Sequence, residues 1–171
     1  MHIANRVRDY LNQRGVAYDV LVHPQTRCSQ ESAAAAHVPG DRLVKSVVLE
    51  DDNGYLMVVL PATRRVRLGV LSAELQRHLR LATEAELKDL FGDCELGAIP
   101  PLGPAYGLET VWDESLENVP EVYVEAGDHE ELIRIDGKAF LGLLGSARHG
   151  NFSARIQVGN RGNIGHTRRP A

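Results

Sequence analysis

One lysine, Lys45, lies within a largely apolar run, Val44–Glu50, that is typical of a β-strand. Side chains alternate across a strand, so Lys45 shares a face with Leu43 and Val47. An ammonium group on an apolar face is costly unless it is paired or binds an anion. The alternative is a lysine whose stem crosses the sheet edge while its charge stays in water. The pattern leaves both interpretations open and makes Lys45 the first candidate for binding an anionic group.

A loop rich in glycine and proline is the second candidate. Its sequence is Gly97-Ala98-Ile99-Pro100-Pro101-Leu102-Gly103-Pro104. Glycine permits a close approach of the backbone, and two consecutive prolines stiffen a turn. The loop can therefore present backbone groups to a ligand, although the same composition also suits a plain connection between a helix and a strand. It lacks the glycine spacing and the Lys-Ser ending of a phosphate-binding loop.

The other histidines and the cysteines show no spacing typical of a metal site or a nucleophile. Among them, His23, His37, His78 and His149 are scattered along the chain, and Cys28 and Cys94 do not form a CxxC pair. Neither a GxSxG nor an HExxH motif is present. His129 stands apart because it falls in a predicted tight loop between two strands. A loop histidine is usually solvated, but loops also carry function disproportionately, so His129 is the third candidate.

Hydrophobic patterning predicts the elements that position these candidates. An amphipathic N-terminal helix ends at Gly15, and Ala17–Val22 alternates like a strand. Further elements are predicted as follows: a short helix capped by Ser29, a hairpin around Asn53-Gly54, a helix through Leu68, Leu71, Leu75 and Leu79, a helix opened by a Thr83/Glu86 capping box, strands at Leu108–Trp112, Glu121–Ala126 and Leu132–Ile135, and a last helix capped by Asp136. Hairpins dominate over crossovers, so we predict an α+β fold with a mixed, largely antiparallel, barrel-like sheet and surrounding helices.

Charge divides the 171 residues into two predicted parts. Residues 146–171 contain five arginines, several glycines and no acid, whereas the 14 basic and 23 acidic residues before them give a net charge of −9. We therefore predict one folded domain over residues 1–145 and a flexible basic tail over residues 146–171. The tail suits a polyanion such as RNA, and the alternative is a solvated extension without a partner. No apolar run is long enough for a membrane span and no signal-peptide core is visible, which predicts a cytoplasmic protein without membrane contact.

Three arginines close to the Lys45 hairpin, Arg64, Arg65 and Arg67, form a second basic candidate. A local basic patch would help an acidic protein to bind RNA. Arginines that merely flank a loop and a helix are equally consistent with the pattern. We keep these residues as a candidate site for binding RNA.

Taken together, three segments resemble the YbaK family, which includes the editing domain of prolyl-tRNA synthetase and free-standing relatives. The resemblance runs from about Gly15 to Gly145. It rests on Val44–Leu49 ahead of Val58–Ala62, on Gly97–Gly103, and on Ala126–Ile133. Each segment is weak alone, but their order and spacing are specific.

The resemblance implies an ester hydrolase that deacylates mischarged aminoacyl-tRNA, with bound water as nucleophile and no metal or organic cofactor. It places catalytic roles on Lys45, Gly97 and His129. It places substrate-binding roles on Ser46, Ala98, Ile99, Pro100, Pro101, Gly103 and Gly127. A histidine in the last hairpin and Gly97-Ala98-Ile99-Pro100-Pro101 in the loop look closer to the branch that edits Ala-tRNA(Pro) than to the branch that edits Cys-tRNA.

Two alternatives stay open at this point: a noncatalytic tRNA- or protein-binding adaptor of the same fold, and a regulator that binds free amino acids. A synthetase partner is a further expectation, while the oligomeric state is open.

Overall fold

A computed structural model describes residues 3–157 of the chain, which form an α+β fold. The helices are α1 (Asn5–Arg14), α2 (Ser29–Ala35), α3 (Leu68–Leu75), α4 (Glu84–Leu90) and α5 (Gly137–Leu143). The strands are β1 (Asp19–Val22), β2 (Leu43–Asp51), β3 (Gly54–Pro61), β4 (Arg64–Val66), β5 (Arg80–Leu81), β6 (Glu109–Asp113), β7 (Glu121–Glu125), β8 (Glu131–Asp136), β9 (Arg148–Gly150) and β10 (Ser153–Arg155). Two short 3-10 turns, Gly103–Tyr106 and Glu114–Leu116, flank β6.

The main sheet has the strand order β1-β8-β7-β2-β3-β6-β9, and β5 adds to one edge of β2. The pairs β1–β8, β7–β8, β2–β3 and β2–β5 are antiparallel, whereas β2–β7, β3–β6 and β6–β9 are parallel. The predicted fold class, with its mixed and largely antiparallel sheet, is confirmed.

The β2–β3 hairpin is the centre of the sheet, and its turn at Asn53-Gly54 is the one predicted from sequence. Both faces of β3 are buried, with Met57 and Val59 in one hydrophobic cluster and Leu56 and Val58 in another. A strand covered on both faces explains the nearly continuous apolar run of its sequence. This rigid centre carries Lys45 and Ser46 on β2.

The predicted helix caps are mostly confirmed. Thr83 and Glu86 form the capping box of α4, and the Asp136 carboxylate accepts the N–H of Ala139 at the start of α5. Ser29, predicted as a cap, is instead the first residue of α2, and Cys28 precedes it without a side-chain cap. Leu79, predicted within α3, lies beyond it, because Gln76 adopts a left-handed conformation that ends the helix.

The boundary predicted at residue 145 is wrong for residues 146–157. Strand β9 pairs with β6, and β10 pairs with β4. Phe152 between them is fully buried, and its N–H donates to the Asp113 carboxylate over 2.8 Å. One buried aromatic ring and two three-residue strands therefore attach this segment, although its Arg/Gly composition gives no core signal. Residues 158–171, the rest of the predicted tail, lie outside the described residues.

Candidate functional site

Strand β2 changes partners along one edge, and the candidate site lies at this change. Its N-terminal end pairs with β7 at Leu43 and Val44, and its C-terminal end pairs with β5 at Leu49 and Glu50. Between these pairings, within the described residues, no strand covers the edge at residues 45–48. The sheet is therefore split beside Lys45, which leaves room for a ligand next to a rigid strand.

Lys45 lies at this split and is half-buried. Its Nζ donates to the carbonyl of Ala62 over 3.4 Å, and within residues 3–157 no carboxylate oxygen lies within 4 Å of it. Removal from water lowers the pKa of Lys45, because burial penalises the charged form. An ammonium group without a charged partner at the lip of an apolar face is suited to bind an anion.

Two adjacent cavities meet at Lys45. The Val47 cavity, about 250 Å³, is lined by Ser29, Lys45, Ser46, Val47, Val48, Leu81, Ala82, Leu87, Gly97 and Ile99. The Arg27 cavity, about 420 Å³, is lined by Arg27, Cys28, Ser29, Gln30, Lys45, Ala62, Gly97 and Ile156. Ser29, Lys45 and Gly97 line both cavities. The structure thus brings together Lys45 and Gly97, two of the three residues with an expected catalytic role.

Ser46 links the glycine- and proline-rich loop, residues 97–104, to β2 by a hydrogen bond. Its hydroxyl donates to the carbonyl of Ile99 over 3.1 Å, so the loop fills part of the split edge. The N–H of Ala98 donates to the carbonyl of Glu95 over 3.1 Å. Among residues 3–157, the N–H groups of Gly97 and Ile99 have no such acceptor, and both residues line the Val47 cavity. These two amides are therefore the backbone donors that the loop can offer to a ligand.

His129 lies behind Gly97. Its side chain is 6% exposed, and Nε2 lies 2.7 Å from the carbonyl oxygen of Leu96. A carbonyl only accepts, so Nε2 carries the proton in this contact. A Cβ built on Gly97 would stand 3.3 Å from His129 Cε1. Among the described residues that line the two cavities, Gly97 is present and His129 is absent, so the imidazole reaches the site through the loop.

The β7–β8 turn holds the loop at a second point. The carbonyl of Gly127 accepts the N–H of Glu95 over 2.7 Å. Gly127 has φ +121° and packs so closely that a Cβ would stand 3.0 Å from the Cβ of Ala4. It therefore positions the loop and the N-terminal segment from a buried place, away from the two cavities at Lys45.

The other loop residues with a predicted substrate-binding role differ in how deeply they are buried. Ile99 reaches the Val47 cavity, whereas Ala98, Pro100 and Pro101 are buried behind it. Gly103 is farther along, where a Cβ would overlap the side chain of Thr110. Its glycine is thus required by packing against β6, and the structure does not bring Gly103 to the cavities at Lys45.

The three predicted arginines have different surroundings. Arg64 is partly buried and engaged by Ser153, with its Nε 2.6 Å from the hydroxyl oxygen, and it lies 3.9 Å from the Asp113 carboxylate. Arg65 and Arg67 are exposed. Only the latter two are therefore available on the surface for contact with a polyanion.

Sequence reasoning missed one wall of the site, residues 27–30 at the start of α2, as well as Ile156. It also missed a buried polar group below this wall, in which the Ser32 hydroxyl donates to the Glu125 carboxylate over 2.7 Å. An acid inside the predicted strand Glu121–Ala126 was the one available signal, but its partners are distant in sequence.

Within residues 3–157 no cluster of side chains suited to a metal ion was found, and no helix there could cross a membrane.

Comparison with known proteins gives a consistent result. The family model of the aminoacyl-tRNA editing domain matches residues 23–143. The proline–tRNA ligase of Bacillus cereus (strain G9842) is 23% identical over 105 residues, which are 61% of this chain and 18% of the ligase. The chain therefore spans about a fifth of the length of this curated relative.

Two solved structures resemble the whole described fold. A crystal structure of a candidate trans-editing enzyme for prolyl-tRNA synthetase is 31% identical, with a TM-score of 0.76, and the match covers 88% of this chain and 96% of that one. A structure from work on grafting epitope backbones onto scaffold proteins is 27% identical, with a TM-score of 0.77, over 90% and 97% of the two chains.

Proposed function

Because this chain belongs to the aminoacyl-tRNA editing domain family, we propose that it hydrolyses the ester bond of mischarged aminoacyl-tRNA. The observation that carries the proposal is the half-buried ammonium of Lys45, which has no carboxylate partner among residues 3–157 and lines two cavities. The 3′ end of an aminoacyl-tRNA supplies both a phosphate and an ester carbonyl, and either group matches this cation.

The two cavities suit the two halves of such a substrate. The smaller Val47 cavity, with its apolar strand wall, accommodates a small aminoacyl group. The larger Arg27 cavity carries the Arg27 and Gln30 side chains, which can hydrogen-bond to the terminal nucleotide and its phosphate. The ester then lies between them, where Lys45 and Gly97 line both cavities.

The reaction needs no nucleophilic side chain. A water molecule adds to the ester carbonyl, and the negative charge that develops on the carbonyl oxygen is stabilised by Lys45 and by the N–H groups of Gly97 and Ile99. The bond between the carbonyl carbon and the ribose oxygen then breaks, and that oxygen takes up the proton lost by the water. The products are the free amino acid and the tRNA with its terminal hydroxyl restored.

Alanine on tRNA(Pro) is the substrate we propose, and the likeness to a proline–tRNA ligase and to a candidate trans-editing enzyme for prolyl-tRNA synthetase supports it. A closed pocket rejects an amino acid that is too large more readily than one that is too small. His129 supports the loop at Gly97, so it sets the pocket size from behind rather than by touching the substrate.

The tRNA body needs further contacts on this acidic protein. Arg65 and Arg67 are exposed and suited to phosphate contact. Replacing both with alanine should weaken tRNA binding and flatten its salt dependence, with the slope changing by about 0.7–0.9 for each phosphate that is no longer neutralised. We expect the protein to act in the cytoplasm on charged tRNA, with a synthetase as partner.

The test is hydrolysis of separately prepared Ala-tRNA(Pro), Ser-tRNA(Thr), Ser-tRNA(Ala) and Cys-tRNA(Pro), each with wild type and with Lys45→Ala. The proposal predicts lysine-dependent loss of ester from Ala-tRNA(Pro) above the other three. Binding of tRNA without hydrolysis of any ester would instead favour the noncatalytic adaptor. Tight binding of free alanine, serine, threonine or proline without tRNA, measured by calorimetry, would favour the regulator.

A further inference from the structure

Three buried polar atoms have no hydrogen-bond partner among residues 3–157, and they belong to one group of side chains. They are His23 Nε2, Glu125 Oε2 and His129 Nδ1, on side chains that are 5%, 1% and 6% exposed. Burial raises the pKa of Glu125, while the Ser32 hydrogen bond and the charges of His129 and His23 oppose this shift. The two imidazoles therefore lie within electrostatic reach of one buried carboxyl group.

One oxygen of Glu125 holds the wall at the start of α2. Oε1 accepts the hydroxyl hydrogen of Ser32 over 2.7 Å, and the hydroxyl of Thr26 lies 2.7 Å from that of Ser32. Ser32 has one hydroxyl hydrogen, so Thr26 is the donor in the second contact. Through these two hydroxyls Glu125 fixes both ends of the segment that contains Arg27 and Cys28, which line the Arg27 cavity.

The opposite wall is held through His129. Its Nε2 donates to the carbonyl of Leu96 over 2.7 Å, and its ring lies against Gly97. Nδ1, the other nitrogen, is one of the three unpartnered atoms. The carbonyl of His129 also accepts the N–H of Thr26 over 3.3 Å, so the two walls are joined at this histidine.

We propose that Glu125 is a positioning residue for the deacylation proposed above, on which this inference rests. Glu125 is almost fully buried and lies away from both cavities, so it does not touch the substrate. It holds the α2 wall through Ser32 and Thr26, and the N–H of Thr26 donates to the carbonyl of His129, which holds the Leu96–Gly97 wall. These hydrogen bonds around a buried carboxylate keep the two walls at one separation, and a small displacement of reacting groups lowers the rate strongly.

The groups that face Glu125 determine how pH acts on it. They are His23 from the segment after β1, Asp128 and His129 from the β7–β8 turn, and Ser32 from α2; His129 and His23 favour the ionised carboxylate, and Asp128 opposes it. Below its raised pKa Glu125 takes up a proton, and its hydrogen bond from Ser32 is no longer strengthened by a full negative charge. The rate of ester hydrolysis should therefore fall on the acid side as this group titrates.

The experiment compares wild type with Glu125→Gln, Glu125→Ala and Ser32→Ala, and with Glu121→Gln on the same strand as the matched control. Glu125→Gln keeps the shape and the acceptor for Ser32 but cannot ionise. We expect kcat on Ala-tRNA(Pro) to fall about 10- to 100-fold in Glu125→Gln and Glu125→Ala, with tRNA affinity nearly unchanged. The acid limb of the rate profile should disappear in Glu125→Gln, while Glu121→Gln should behave as wild type.

Amide hydrogen exchange supplies a readout independent of activity. In Glu125→Ala and Ser32→Ala the protection of residues 26–32 should fall, and in Glu125→Ala that of residues 95–99 should fall with it, while strand β3 keeps its protection. The proposal is overturned if folded Glu125→Gln retains wild-type kcat and its acid limb, or if either wall keeps full protection in Glu125→Ala. Wild type without any ester hydrolysis would instead refute the proposed function, and the exchange data alone would then decide whether Glu125 organises the cavity walls.

Discussion

The imidazole of His129 lies against Gly97, 3.3 Å from the point where a Cβ on that glycine would stand. Gly97 itself has φ +87°, a conformation that other residues adopt only with strain. Glycine is therefore required at position 97 for two reasons. Its backbone has a positive φ, and the imidazole ring behind it leaves little room for a Cβ. His129, also at positive φ, is fixed by the carbonyl of Leu96, so histidine and glycine together set the wall of the two cavities.

Replacing Gly97 should impair the site, because other residues adopt its backbone conformation only with strain. Gly97→Ala and Gly97→Val should each lose about 1–2 kcal/mol of unfolding free energy from the left-handed backbone alone. Deacylation should fall more steeply with valine, because its branched side chain pushes against His129. The measurements are chemical denaturation and single-turnover hydrolysis.

The matched control for this change is Gly92→Ala. Gly92 is exposed, and the nearest atom to an added Cβ is the carbonyl oxygen of Lys88 at 3.9 Å, an ordinary contact. This variant should keep wild-type activity. Wild-type turnover by Gly97→Val would mean that the loop is only a connection.

Lys45→Met should separate function from stability. Burial lowers the pKa of Lys45, so the folded chain binds this proton less tightly than the unfolded chain. The resulting destabilisation is present at neutral pH and is relieved as the pH rises through the folded-state pKa. Methionine keeps the volume without the charge, so the Tm should equal or exceed that of wild type near neutral pH. A clear fall in Tm would show that the ammonium group stabilises the fold.

The two thiols should differ in reactivity. Burial raises the pKa of Cys94 to about 12, and its Sγ lies 3.2 Å from the hydroxyl of Tyr106, whereas Cys28 is exposed and lines the Arg27 cavity. A disulfide reagent near pH 8 should therefore modify one thiol rapidly and block deacylation, because only the ionised thiol is nucleophilic.

Cys28→Ser is the control for this labelling. It should stay active and resist the reagent. Rapid reaction of both thiols, or full activity after labelling of Cys28, would contradict the assignment of residues 27–30 to the site.

The effect of truncating the C-terminal segment should depend on where the cut is made. Removing residues 146–171 also removes Phe152, and losing a buried phenylalanine alone costs about 3–5 kcal/mol. Removing residues 158–171 leaves every described strand in place and deletes three arginines. We expect the shorter truncation to fold normally and to bind tRNA more weakly with a flatter salt dependence. Unchanged affinity and salt slope would exclude RNA contact by these residues.

Local signals in the sequence predicted much of the fold. Asn53-Gly54 forms a hairpin because its backbone preference is independent of the rest of the chain, and the Thr83/Glu86 box works within one helical turn. Lys45 was identified by a charge in a largely apolar strand, and its role in binding an anionic group stays a prediction. The family resemblance, in turn, is confirmed by the editing-domain match.

Long-range features were not predictable in this way. The parallel pairing of β3 with β6 and the split edge of β2 depend on which strands meet, and alternation along one strand carries no such information. Phe152 is one aromatic residue in a polar segment, so it shows no periodicity. Glu125 is separated from Ser32 by 93 positions, and only the folded chain brings its carboxylate to that hydroxyl.

The central claim is that Lys45 stabilises the ester-cleavage step on a mischarged tRNA. The most direct measurement is the single-turnover rate of Ala-tRNA(Pro) hydrolysis by wild type and by folded Lys45→Met at equal tRNA occupancy. We predict release of alanine by wild type and a loss of at least about 100-fold in the variant, the range found when one electrostatic donor is removed from a catalytic site. Equal rates in the two proteins would contradict the account, because Lys45 would then take no part in the reaction.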